Sequence, residues 1–178
     1  CLLTSEPVIL KNLPDIEDVR VMQQVLESLG ASVERLAPNT LRITTGDVVD
    51  SVLDAELCKR IRASILFAGP LLARTGRVVL PPPGGDVIGR RRVDTHFLGL
   101  EALGGTLTVG DGYELTADRL RAAEIFFDEQ SVTATENVVM AAALAEGTTV
   151  LMNAACEPHV QGLCRMLVTM GAEISGIG

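Results

Sequence analysis

Three short apolar runs share one pattern and read as β-strands: Glu6-Pro-Val-Ile-Leu10, Gly76-Arg-Val-Val-Leu80 and Gly147-Thr-Thr-Val-Leu151. Each closes on Leu, and the Leu-to-Leu spacings are 70 and 71 residues. A turn rich in Pro, Asn or Gly follows each run, and then a helix. The three helices end alike, at Leu26-Glu-Ser-Leu29-Gly30-Ala31, Leu100-Glu-Ala-Leu103-Gly104-Gly105 and Leu167-Val-Thr-Met170-Gly171-Ala172. Apolar residues three apart, followed by Gly, are what a core-facing last turn with a left-handed cap requires. A short strand is expected after each Gly, over Ser32-Val-Glu-Arg, Thr106-Leu-Thr-Val109 and Glu173-Ile-Ser.

A second helix is expected before the second run, over Arg62 to Leu72, and before the third, over Ala134 to Ala145. Only the stub Cys1-Leu-Leu-Thr precedes the first run, so the chain is expected to begin inside a helix, with part of its first unit missing. The repeating unit then reads βαβαββ, about three times over. Such units make an α/β domain with helices inside and sheets outside, or the reverse. No linker divides the chain, so 1–178 reads as a single domain.

Composition narrows the function. The chain has 178 residues, 47% hydrophobic and 21% charged, which supports a packed core and excludes wholesale disorder. A net charge of −8 argues against general nucleic-acid binding, which draws on a basic face. With no Trp and one Tyr, a stacking platform for single strands is poor as well. No apolar run approaches the ~18 residues of a membrane span. The cysteines Cys1, Cys58, Cys156 and Cys164 and the histidines His96 and His159 lack metal-site spacing, so neither metal nor cofactor is expected. Scattered thiols fit a reducing cytoplasm. Cys156 and Cys164 lie on an apolar helical pattern and read as core, as do Met140, Met166 and Met170; His159 reads as a surface or packing residue.

One unit carries something extra. From strand-end Leu to helix-end Gly there are 20, 24 and 20 residues in the three units. The added length lies in Pro81-Pro-Pro-Gly-Gly-Asp-Val-Ile-Gly-Arg-Arg-Arg-Val-Asp-Thr-His96, an exposed loop by composition. Three consecutive arginines in an acidic chain make a focused positive spot, and Arg presents a planar fork of donors suited to phosphate or carboxylate. A solvated charge run capping the next helix is the plainer reading, and Gly84-Gly85 taken alone is ordinary turn chemistry.

This loop, with Arg62-Ala-Ser-Ile and Gly69-Pro70 before it, resembles the enolpyruvyl transferases that act on UDP-N-acetylglucosamine. So do Ser131-Val-Thr-Ala-Thr-Glu-Asn137, Ala145-Glu-Gly-Thr-Thr149 and Asn153-Ala-Ala-Cys-Glu-Pro158. The resemblance runs from end to end and keeps the family's order of motifs. It implies an inside-out α/β barrel-like domain of βαβαββ units, one of two that enclose an active site, with this chain as most of the catalytic-loop domain. It also implies the reaction: the sugar 3-hydroxyl adds to C2 of phosphoenolpyruvate, C3 is protonated, and phosphate is eliminated. Small-molecule substrates and the second domain are then the partners, with no nucleic acid and no membrane.

The implied site follows residue by residue. The family's loop cysteine falls at Asp86; members with Asp there escape fosfomycin, which alkylates the thiol. As proton donor, Asp86 has to keep its proton near neutral pH against an ordinary value of about 3.9. Burial favours that, and Arg90, Arg91 and Arg92 oppose it. Arg62 and Arg91 match substrate-touching arginines. Arg92, Val93, Asp94 and Thr95 match the stretch around the uracil, although Arg92 stands where proline is common. Asp94 could equally cap the following helix. Glu129, Gln130, Ser131 and Val132 match positions near the nucleotide, but Glu129 stands where lysine is frequent. A carboxylate there repels a diphosphate unless it is turned away or paired. Glu157 retains a family glutamate, and His96 matches a histidine expected to orient the loop. The proposed base and further arginines belong to the second domain, so the 178-residue chain alone is expected to be inactive. Two rivals stay open: the related transferase acting on shikimate 3-phosphate, and a non-catalytic module binding a nucleotide sugar or a protein.

Overall fold

The computed structural model describes residues 1–46, 50–85 and 92–178. Its first unit runs β1 (Val8–Lys11), α1 (Glu17–Ser28), β2 (Ser32–Ala37) and β3 (Thr40–Thr44). These strands form an antiparallel sheet of order β1-β3-β2, with Val8 opposite Ile43 and Ser32 opposite Thr44. The second unit carries α2 (Ala55–Cys58), a 3-10 helix over Arg62–Phe67, α3 (Ala68–Thr75), β4 (Arg77–Leu80), α4 (Asp94–Ala102), β5 (Thr106–Val109) and β6 (Tyr113–Thr116). Its sheet has the same order, β4-β6-β5.

Among the described residues, the leading strand of this unit is one parallel bridge, Val52 to Val79. Two backbone bonds make it, Leu53 N to Val79 O at 3.0 Å and Val79 N to Ser51 O at 2.8 Å. With that bridge the second unit is βαβαββ. The third unit gives β7 (Glu124–Phe126), α5 (Val132–Ala142), β8 (Val150–Met152) and α6 (Pro158–Thr169), with β7 and β8 parallel.

The repeat is written into the helix ends. Gly30, Gly104 and Gly171 take φ of 94°, 103° and 107°. In each, the amide after Gly bonds back five residues: Ala31 to Leu26 O, Gly105 to Leu100 O and Ala172 to Leu167 O, all at 3.0 Å. The Gly amide itself bonds back three, to Glu27, Glu101 and Val168. This is the Schellman arrangement three times over.

Several expectations change. Glu173-Ile-Ser is not a strand; residues 172–178 have no regular structure. The matching strands β2 and β5 are each held by a return strand, β3 and β6, and among the described residues none lies beside 173–175. Residues 1–4 form a single turn, closed by Thr4 N to Cys1 O, rather than a helix. The helix expected over 62–72 is split, because Pro70 lacks an amide proton and fits only the first turn of an α-helix. Cys164 is buried as expected, but Cys156 is exposed, since it lies in the connection ahead of α6. Met170 is 39% exposed, while Met140 and Met166 are half-buried.

Helices occupy the interior and sheets the outside. Five consecutive residues of α3, Ala68 to Leu72, are buried, whereas Ile9, Val109 and Val150 on the three sheets are exposed. Two glycines allow the helices to meet. A Cβ on Gly69 would stand 2.2 Å from the Asn137 carbonyl oxygen of α5. One on Gly99 of α4 would stand 2.3 Å from Val138 Cγ2. No described helix is long and apolar enough to cross a membrane.

Candidate functional site

The extra loop leaves β4 and docks at once. Gly84 N–H donates to Cys58 O at 3.0 Å and Gly85 N–H to Lys59 O at 3.2 Å. A Cβ on Gly84 would lie 1.8 Å from Lys59 O, and Gly85 sits at φ +85° beside Arg62 N. The two glycines therefore do more than turn the chain; they let it lie on the end of α2. Asp86, Arg90 and Arg91 fall outside the described residues.

Where the description resumes, Arg62 Nη2 donates to Arg92 O at 3.1 Å, joining the 3-10 helix to the start of α4. Arg92 is the centre of a charge cluster. Its Nη2 lies 2.7 Å from Asp94 Oδ2 and 2.6 Å from Asp128 Oδ2, and its Nη1 lies 3.7 Å from Glu129 Oε2. The Thr95 hydroxyl stands 3.2 Å from Asp128 Oδ1 and 3.3 Å from Glu129 Oε1, sharing one proton between them. Hydrogen bonds donated to Asp94 and then to Asp128 hold the guanidinium more firmly protonated than usual. The hydrogen bond from Arg92 holds Asp128 below the ordinary carboxylate range.

Asp94 is not the helix cap; Val93 takes that position without a side-chain bond, and Asp94 lies in the first turn, where a carboxylate suits the helix dipole. Glu129 meets the Thr95 hydroxyl and, at 3.7 Å, the Arg92 guanidinium. Ser131 caps α5, its Oγ accepting from Ala134 N at 3.3 Å. Val132 opens that helix and Gln130 is exposed beside it. Arg92, Val93 and Asp94, with Phe97, Val109 and Tyr113, line an open cleft of about 750 Å³. The Phe97 and Tyr113 rings meet there, with centroids 4.7 Å apart.

His96 faces inward, 3% exposed. Asn137 Oδ1 accepts from Gly69 N–H at 2.7 Å, so its amino group donates to Ile65 O at 2.8 Å and to His96 Nδ1 at 3.0 Å. That assignment leaves the proton on Nε2, which donates to Thr133 Oγ1 at 3.1 Å. Burial, then the charge of Arg62, pushes the imidazole down to about 4. His96 is neutral near pH 7, and among the described residues its ring bonds run into α5. It anchors the helix on which the loop ends.

Glu157 precedes α6, exposed, without a capping bond. It lies near Glu136 of α5, whose half-buried carboxyl is raised by burial and by Glu157 and lowered by His159. Sequence reasoning missed Asp128 and Asn137. Asn137 was detectable: it falls on the helical stripe of Ala134, Val138 and Ala141, where a polar residue needs partners. Asp128 carried no signal, because its partner Arg92 is 36 residues away.

Helix-centred, sheet-covered repeats with a charged cluster at the helix N-terminal ends define a class, and comparison with known proteins narrows it. The family model described as EPSP synthase (3-phosphoshikimate 1-carboxyvinyltransferase) matches residues 1–178. The chain belongs to this family of enolpyruvyl transferases. It is 58% identical over 177 residues to a UDP-N-acetylglucosamine 1-carboxyvinyltransferase of Treponema denticola, covering 99% of this chain and 42% of that one. A protein of the same description from Bradyrhizobium diazoefficiens is 56% identical over 177 residues, covering 99% and 41%. The chain thus spans about two-fifths of the length of these curated relatives. Among solved structures, the enolpyruvyl transferase NikO from Streptomyces tendae superposes with a TM-score of 0.84 at 25% identity, over 99% of this chain and 42% of that one. An EPSP synthase from Acinetobacter baumannii gives 0.73 at 18% identity, over 98% and 41%, a likeness of fold alone.

Proposed function

We propose that this chain is the catalytic-loop domain of a two-domain cytoplasmic enzyme that moves enolpyruvyl from phosphoenolpyruvate to the 3-hydroxyl of UDP-N-acetylglucosamine in peptidoglycan precursor synthesis. The observation that carries this reading is the identity of 54–58% to several transferases named for that acceptor. The acceptor oxygen bonds to C2 while Asp86 gives its proton to C3; loss of a C3 proton with departure of phosphate then restores the double bond. Such chemistry needs cations for phosphate and carboxylate, an acid for C3 and a base for the hydroxyl. Arg62 and Arg91 supply cations here. Arg92, Val93, Asp94 and Thr95 bracket the uracil, and Glu129, Gln130, Ser131 and Val132 border the nucleotide. Glu157 belongs to the same rim, and the base comes from the second domain.

Phosphate release by the full-length protein tests this. Release with UDP-N-acetylglucosamine, insensitive to fosfomycin and lost in Asp86→Ala, is the expected result. Release only with shikimate 3-phosphate would favour the other branch, whose name the matching family model bears. Turnover by the 178-residue chain alone would refute the need for a second domain.

A further inference from the structure

The helical stretch from Arg62 to Thr75 changes from 3-10 to α between Phe67 and Ala68, and the side chain of Asn137 lies at that break. Gly69 N–H and Ile65 O stand four residues apart, the pair that an unbroken α-helix would join to each other. The Asn137 carboxamide bonds to both: Oδ1 accepts from Gly69 N–H at 2.7 Å, and Nδ2 donates to Ile65 O at 2.8 Å. A side chain set into this ladder fixes the angle at which the two helical pieces meet. Gly69 leaves room for it, since a Cβ there would stand 2.8 Å from Asn137 Oδ1. The second proton on Nδ2 goes to His96 Nδ1 at 3.0 Å. Asn137 is fully buried, so losing any of these bonds strands a polar group away from water.

These contacts close a ring. From Asn137 it passes to Ile65 and back along the 3-10 helix to Arg62, the first residue of that helix, whose Nη2 donates to Arg92 O at 3.1 Å. From Arg92 it returns through the first turn of α4 to His96, and so to Asn137. A 3-10 run of six residues is long for its kind and weakly bonded, so its direction depends on what holds its ends. We infer that Asn137 is a positioning residue: set into the helix break, it aims the 3-10 helix so that Arg62 meets substrate in a fixed relation to the start of α4. Being fully buried, it acts through Arg62 and reaches no ligand itself. This rests on the role given to Arg62 above.

The test is steady-state kinetics of the full-length protein with UDP-N-acetylglucosamine varied, because KM does not depend on how much of the enzyme is folded. Asn137→Ser, too short to reach Ile65 O and His96, should raise KM about tenfold, the scale of a small misplacement. In an Arg62→Ala background, itself raised in KM, the same substitution should add less than about twofold, since the group it positions is gone. His96→Leu opens the ring at its next link and should raise KM about threefold. A lower kcat with unchanged KM in Asn137→Ser would mean a structural role only and would overturn the inference. An equal rise with and without Arg62 would overturn it too. If Asn137→Ser does not fold, His96→Leu decides, and an unchanged KM there counts against the ring. A parent that turns over only shikimate 3-phosphate would remove the acceptor reading, and the same cycle with that acceptor varied would then judge Asn137. A parent inactive with both acceptors would remove the enzyme reading and this inference with it.

Discussion

The second and third units end their helices in the same way and then part company. Leu100 and Leu103 stand three apart before Gly104, and both are fully buried. Leu167 and Met170 stand three apart before Gly171, yet Met170 is 39% exposed, with Val168 at 42% beside it on α6. The cap bonds match to within 0.1 Å. The cover is what differs: the second unit has the hairpin β5-β6 packed back over it, whereas β7 and β8 leave Phe126, Val150 and Met152 exposed. A left-handed Gly needs only its own turn, so the cap is a local property. Burial of the apolar pair needs a second element, so it is a tertiary one.

That contrast can be broken by experiment. The largest effect is expected at the seam of the two units, where α4 and α3 meet α5. Asn137→Ala orphans the Gly69 amide and His96 Nδ1 and removes one of the two donors to the Ile65 carbonyl, and should cost about 4 kcal/mol in urea unfolding. A loss under about 1 kcal/mol would mean the seam is wet or adaptable. Next come the matched helix ends. Leu103→Ala should cost about 3 kcal/mol and Met170→Ala under about 0.5, and equal losses would show that the third unit is covered in solution.

Acid provides the third test. His96 sits at about 4 in the folded protein against an ordinary 6.5. As pH falls, the unfolded chain takes up this proton first, so the stability His96 allows is complete above about 6.5 and drains away toward 4. The loss amounts to about 2–3 kcal/mol, and a His96→Gln variant should show a flatter pH profile over that window. The smallest effect is a designed equality. Gly104→Ala and Gly171→Ala should each cost about 1 kcal/mol, because both strain a left-handed residue and neither meets a hard clash. A large difference between them would deny that the cap is local.

The same division explains what could be read from sequence. The Schellman ends, the strands before them and the order of units were legible, since each is set by residues within a turn or two. The strand expected at Glu173-Ile-Ser was not there, because alternation creates a strand only beside a partner. Cys156 was misplaced in the core for a related reason: its apolar neighbours point inward from a connection that itself faces water. At the candidate site, Arg92, Asp94, Thr95 and Glu129 were picked out singly. Their pairing joins the start of α4 to the turn before α5, and no spacing along the chain announces it. The docking of Gly84 and Gly85 onto the carbonyls of Cys58 and Lys59 was hidden too, as Gly-Gly in a proline-rich loop first suggests a turn.

The contact of Gly69 with Asn137 has a consequence for how mutational maps of this protein should be read. Every side chain other than hydrogen at Gly69 runs into the main chain of α5, and Gly99 meets Val138 almost as closely. In a saturation screen these positions would score as intolerant as any residue that grips substrate. Sensitivity in this chain therefore marks where helices touch at its centre, and contacts with any ligand would stand out only in assays that separate abundance from turnover.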